Sequence, residues 1–170
     1  MLDSKTLAGD FARHVAGCPS GIIACTVGVA VESWFHLELA HLLLPSGQFE
    51  SVQLGFDYPG TRQKADLALT TSQDLVVLEF KCFVKGADSN KIQSWPTQLH
   101  RLAHLVEKGD AEQGVALSTF YGYPNDRVTA FARRFHPSSW THYGPLKFHQ
   151  SAPLQLVVAI VGHHDGEPVA

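Results

Sequence analysis

Cysteine is scarce and irregularly placed, at Cys18, Cys25 and Cys82 only. An odd count without the spacing of a metal knuckle argues against a disulfide framework and fits free thiols in a reducing cytoplasm. No run reaches the roughly 18 apolar residues that a helix needs to cross a bilayer. The residues ahead of the apolar stretch 21–30 mix Asp3 and Asp10 with Lys5 and Arg13, unlike the basic opening of a cleaved signal peptide. Excess positive charge is also missing. With a net charge of −3, the chain does not coat nucleic acid by charge alone. A local positive groove or a bound metal could still supply that charge, and ten histidines add to it at mildly acidic pH. Glycine-rich phosphate loops, internal repeats and low-complexity tracts are absent, and no Ser or Cys carries the surroundings of a nucleophile.

What the chain does have is a length of 170 residues and 45% hydrophobic content, which suit one domain with a substantial core. Ser4 to Ala16 reads as a short helix with Ser4 as its cap, broken by Cys18-Pro19-Ser20-Gly21. Val27 to Leu44 reads as a buried helix ended by Pro45-Ser46-Gly47. Ser51 to Tyr58 is a strand followed by a Pro59-Gly60 turn. A hairpin over 66–83 comes next, then a polar loop from Lys85 to Ser94. A helix opened by Trp95-Pro96, with proline in its first turn, runs to about Lys108 and stops at Gly109. Gly114 to Tyr121 is a strand, Asn125 to Phe135 an amphipathic helix capped by Asn125 or Asp126. A loop rich in His, Ser and Pro covers 136–153, and Leu154 to Val161 is a buried strand. The periodicity describes a mixed α/β domain, with a core over 27–162 and an N-terminal extension over 1–26.

The hairpin carries the chemistry. With Ser72 and Gln73 at its tip, Thr71 pairs with Asp74 and the register places Asp66 opposite Glu79. Opposed residues have Cβ atoms about 4.5–5.5 Å apart. Lys81, two beyond Glu79, points to the same side. Leu67, Leu69, Val76, Leu78 and Phe80 form an apolar face, and the other face ends in the charged cluster. Facing carboxylates repel, but a divalent cation between them reverses the sign, and Mg²⁺ or Mn²⁺ is the expected guest. A different loop length would shift the register and separate the two acids. A half-exposed hairpin with solvated charges is the alternative that the residues alone leave open.

Asp66, a gap of about a dozen residues, and then Glu79-Phe80-Lys81 closing an apolar strand resembles the PD-(D/E)XK, or restriction-endonuclease-like, nuclease superfamily. Ala65 stands where that family often has proline. The elements from Val27 onward fall in the order of the family's αβββαβ core, followed here by an extra helix and strand. The resemblance implies a central mixed sheet flanked by helices and a metal-dependent nuclease acting on nucleic acid, most simply DNA. In such a site Asp66, Glu79 and the Phe80 carbonyl hold Mg²⁺ or Mn²⁺, and Lys81 orients water or offsets negative charge. A glutamate on the preceding helix often assists, and both Glu32 and Glu38 are candidates. They lie about 120° apart on the helix, Glu38 inside the apolar arc, where an unpaired carboxylate is costly, and Glu32 at its edge beside His36. Gln98 matches the glutamine that several branches place on the helix after the hairpin, with Gln93 as a weaker substitute.

Other polar residues carry less. Arg62 and Lys64 stand where they could meet phosphate, as could Arg127, Arg133 and Arg134, although such residues commonly form a solvated face. His100 and His104 have a zinc-compatible spacing without a third ligand. His163 and His164 belong to an exposed end. A homodimer is compatible with cutting two strands. A noncatalytic module that binds nucleic acid or protein on the same scaffold is the alternative function, and a small structural α/β protein with solvated hairpin charges is a further one.

Overall fold

Three strands that read as almost continuously apolar form the middle of the sheet. The computed structural model describes residues 1–18, 31–86, 88–135, 139–148 and 154–162. Among them are helices α1 (Ser4–Ala16) and α2 (Val31–Leu43), strands β1 (Ser51–Asp57), β2 (Lys64–Thr70) and β3 (Leu75–Val84), and helix α3 (Ser89–Glu107). Strand β4 (Gln113–Tyr121), helix α4 (Asn125–Phe135) and strands β5 (Thr141–Lys147) and β6 (Leu154–Gly162) follow. The strands form one mixed sheet in the order β1-β2-β3-β4-β6-β5, with β3 and β4 parallel and every other pair antiparallel. The fold is therefore α/β, and no described helix is long and apolar enough to cross a membrane.

Both faces of the sheet are covered, so its central strands are buried on either side. On one face Phe11 of α1 and Phe35 and Leu39 of α2 meet Leu67, Leu69, Leu78, Phe80 and Leu156. On the other, Trp95, Leu99 and Leu102 of α3 and Val128 of α4 meet Val77, Phe83, Ala116 and Phe120. The buried positions of α3 recur at three- and four-residue steps (Trp95, Leu99, Leu102, Val106), which puts one stripe of the helix on the sheet.

The hairpin register is the expected one. Thr71 N–H donates to Asp74 O at 2.9 Å, and Thr70↔Leu75 through Leu67↔Leu78 pair in sequence. Thr71 Oγ1 accepts from the Asp74 N–H at 2.9 Å, which closes the tip without an Asn-Gly turn. Between β1 and β2, Tyr58-Pro59-Gly60-Thr61 turns with Gly60 at φ 71° and Thr61 N–H donating to Tyr58 O, as a proline-glycine turn of type II requires.

Several expectations need correction. Asp3, not Ser4, caps α1, its carboxylate accepting from Thr6 N–H at 2.8 Å. Helix α3 starts at Ser89 and not at Trp95, so Pro96 lies inside it. The proline is exposed, and the adjacent Trp95 is fully buried, so packing holds the helix through the hydrogen bond that proline cannot make. The span 136–153 is not all loop: Thr141–Lys147 is an edge strand, with a register shift between Tyr143 and Leu146. Cys25, His163, His164 and the first four residues of the helix expected from Val27 lie outside the described residues.

Candidate active site

Asp66 sits where the sheet comes apart. The β1–β2 ladder pairs Leu54 with Leu67 and Phe56 with Ala65 but passes over Gly55 and Asp66. The β2–β3 ladder ends one pair short of Asp66 and Glu79, at Leu67↔Leu78. Gly55 adopts φ +72°, a conformation L side chains rarely take, and this breaks the alternation on the neighbouring strand. Ala65 consequently packs with the α3 side of the core while Leu67 packs with the α2 side. Asp66 is left to use its side chain where a backbone group would have paired: its Oδ2 accepts from Phe80 N–H at 2.7 Å. The same oxygen lies 3.5 Å from His36 Nε2 of α2, a buried nitrogen without a hydrogen-bond partner. Asp66, His36, Ser33, Gly55 and Lys64 line an open cleft of about 380 Å³. A larger depression of about 650 Å³, between α1 and β5, shares no lining residue with it.

Glu79 is only 2% exposed. Tyr58, at the end of β1, donates its hydroxyl to Glu79 Oε1 at 2.7 Å. Burial pushes the Glu79 carboxyl up to about 7; the Tyr58 hydrogen bond opposes the rise, the charge of Asp66 adds to it, and Arg101 and Lys81 draw it down. Burial and the neighbouring Glu79 likewise push the Tyr58 hydroxyl well above its usual range. The charges of Asp66 and Lys81 thus both reach Glu79. Arg101 of α3 lies over the Tyr58 ring, 5.5 Å from its centre, and its Nε is buried without a partner.

Glu32 completes the cluster from α2. Its Oε1 accepts from Cys82 N–H and from Lys91 Nζ, both at 2.9 Å, and lies 4.0 Å from Lys81 Nζ. Burial raises this carboxyl, but the Cys82 N–H and the two lysines outweigh it and hold Glu32 below the ordinary glutamate value. Lys91 also donates to Cys82 O at 3.1 Å. Gln98 lies two turns beyond Lys91 on the same edge of α3, and its Oε1 is buried without a partner.

Not every candidate joins. Glu38 faces α1, where His14 Nε2 meets its Oε2 at 2.7 Å, and so does not share the cluster with Glu32. The wheel separation of the two glutamates has placed them in different environments. Gln93, Arg62, Arg127, Arg133 and Arg134 are exposed, and Arg134 lies over the ring of its neighbour Phe135. Lys64 does line the cleft beside Asp66, and its ammonium pairs there with the exposed Asp57 at 3.3 Å. His100 and His104 are exposed on α3, their rings 6.4 Å apart, and His104 Nδ1 lies 3.9 Å from Glu107.

Tyr58, His36, Lys91, Arg101 and Gly55 escaped the sequence reading. Helical spacing offered signals for three: His36 is four after Glu32, Lys91 seven before Gln98 and Arg101 three after it. For Tyr58 and Gly55 the sequence carried no signal beyond their place in the first strand and its turn.

The donors suit a hard divalent cation. Asp66 and Glu79 supply carboxylate oxygens, and a divalent ion would offset both the burial that raises Glu79 and the lesser contribution of the Asp66 charge. His36 Nε2 beside Asp66 and Arg101 Nε beside Tyr58 are further polar atoms, buried at a cost of roughly 1–3 kcal/mol each when unpaired, that a hydrated ion or a phosphate would satisfy; no contact joins Gln98 to them.

No protein-family model matches the chain, and no curated protein matches it. A solved structure, the crystal structure of SSO0001, is 14% identical over 77% of this chain and 76% of its own, with a TM-score of 0.27. A likeness that low carries no argument.

Proposed function

We propose that this chain is a Mg²⁺- or Mn²⁺-dependent nuclease of the PD-(D/E)XK type, cleaving phosphodiester bonds in nucleic acid, most simply DNA, in a reducing cytoplasm. The observation that carries the reading is the placing of Asp66, which takes the Phe80 N–H, beside the buried Glu79 at the point where β2 parts from β3, with Lys81 4.0 Å from Glu32. Asp66, Glu79 and the Phe80 carbonyl would hold the cation. When bound, it lowers the pKa of a water and polarises the scissile phosphate.

The chain's own groups do the rest. Lys81, kept near Glu32, places an ammonium against the charge that develops on the phosphate and orients the attacking water. Glu32 is held ionised by Cys82 N–H and Lys91, so it fixes the Lys81 head instead of competing for a proton. Arg101 and Tyr58 act on Glu79: the hydroxyl fixes one carboxylate oxygen, and the guanidinium favours the ionised form. The exposed Arg62 and the cleft-lining Lys64 are available to phosphate along the approach. A homodimer would present two such sites to a duplex.

The burial of Glu79 under Tyr58 favours a second reading, a noncatalytic module that binds nucleic acid or protein and retains the acidic pair as a structural remnant. Incubation with single- and double-stranded DNA and RNA, with Mg²⁺ or Mn²⁺, separates the two. Cleavage by the native chain, slowed by about 10²-fold or more in Lys81→Ala, is expected. Absence of cleavage of every substrate with either ion removes the nuclease reading and leaves the binding module.

A further inference from the structure

Glu38 is the residue the nuclease reading does not absorb. It lies in the apolar arc of α2, where a lone carboxylate is costly, and its partners come from two helices. His14 Nε2 of α1 is 2.7 Å from Glu38 Oε2, and His41 Nδ1, one turn on along α2, is 4.0 Å from the same oxygen. The three donor atoms lie within 4.8 Å of one another. The two imidazole rings meet edge to face at 5.5 Å. Cys18 Sγ stands 3.8 Å from Glu38 Oε2, which adds a soft donor beside the cluster.

The frame behind these side chains is a packed pair of helices. Phe11 and His14 are three apart on α1, and Phe35 and Glu38 are three apart on α2. The rings of Phe11 and Phe35 pack at 5.8 Å. The helix contact that buries the two phenylalanines therefore continues one turn further as the polar cluster. Around a tetrahedral Zn²⁺ with bonds of roughly 2.0–2.1 Å, ligand atoms stand roughly 3.3–3.4 Å apart. The two nitrogen-to-oxygen distances here, 2.7 and 4.0 Å, straddle that value, so small rotations bring both onto it.

We propose that His14, Glu38 and His41 form a second cation site, for a borderline transition metal of the Zn²⁺ class, that clamps α1 onto α2. Two imidazoles with a single carboxylate select Zn²⁺, Co²⁺ or Ni²⁺ over the oxygen-seeking Mg²⁺. His41, 73% exposed, gives the ion a way in from solvent. A clamp here would hold α1 against the half of the sheet that carries β5 and β6, and it does not depend on the nuclease reading.

The test is a titration of the full-length Glu79→Gln protein with Co²⁺, followed by Zn²⁺ displacement. This background removes one carboxylate of the Asp66 site, so failure of the nuclease reading leaves the outcome unaffected. One equivalent of Co²⁺ with the visible absorption of a tetrahedral complex, displaced by Zn²⁺, is expected. Adding His41→Ala, a change at an exposed side chain, should weaken binding by at least about tenfold and abolish the rise in thermal midpoint with Zn²⁺. No Co²⁺ or Zn²⁺ binding would mean an ion pair only and overturn the proposal. Undiminished affinity in the His41→Ala protein would overturn it equally, by placing the metal elsewhere.

Discussion

Replacing Asp66 with Ala is expected to lower Mg²⁺-dependent cleavage by about 10³-fold or more, the several kcal/mol that a positioned cation supplies at a phosphoryl centre. The effect should fall on activity and spare the fold. Asp66 is 29% exposed and lies in the gap of both ladders, so its loss removes no sheet pairing. What the fold does lose is an acceptor for Phe80 N–H, worth about 1–2 kcal/mol. Asp66→Asn keeps that acceptor and should keep native stability while remaining inactive, because a neutral amide does not replace the second negative charge. Cleavage rates and urea midpoints on the same preparations check this. Full activity in either variant would remove Asp66 from the chemistry.

The native protein without divalent ions should lose stability, relative to Glu79→Gln, as pH rises from about 5 to about 7. Burial raises the folded carboxyl from 4.5 to about 7. Below the lower value both states bind the proton and the comparison is flat. Between the two values the folded state binds more protons than the unfolded one, so stability falls with pH, and above about 7 it is flat again. The full difference is on the order of 3 kcal/mol. Glutamine keeps an oxygen for the Tyr58 hydroxyl and does not titrate. Denaturant unfolding of the two proteins across pH 4 to 9 reads the difference directly, and parallel profiles would show that Glu79 ionises as an ordinary surface carboxylate. The same proton competes with metal: affinity for Mn²⁺ should climb through this range, and binding should release a proton below about pH 7.

The sequence made the middle of the fold legible because its signals were local. Thr71 through Asp74 set the register, and the alternation followed as far as Leu67 opposite Leu78; the expected pair of Asp66 with Glu79, one step on, falls where the ladder has ended. Helix α4 could be read because its apolar stripe and polar flanks agree. Strand β5 could not. Gly144 and Pro145 read as loop residues, yet Gly144 lies against the neighbouring strand, where a Cβ would meet Leu156 O at 2.6 Å. An edge strand tolerates proline at an irregularity in its register. The start of α3 was misplaced because Pro96 is a strong local signal that tertiary burial of Trp95 overrides.

The site was legible only in its first members. The spacing of Asp66, Glu79 and Lys81 along one hairpin pointed to them, and the helix wheel left Glu32 and Glu38 as equal candidates, of which the contacts to Cys82 and Lys91 select Glu32. The shell around them depends on contacts between distant elements. Tyr58 reaches Glu79 across 21 positions and Lys91 reaches Glu32 across 59. Nor did alternation reveal that Asp66 leaves its expected face, since the cause is the left-handed Gly55 on the adjoining strand.

Calorimetric titration of the native protein and Asp66→Ala with Mn²⁺ at pH 8, where Glu79 is ionised, addresses the shared cation most directly. Heat that saturates at millimolar Mn²⁺ or below in the native protein, and is lost in Asp66→Ala, is the expected result. No binding at millimolar Mn²⁺, or identical isotherms from the two proteins, would contradict it.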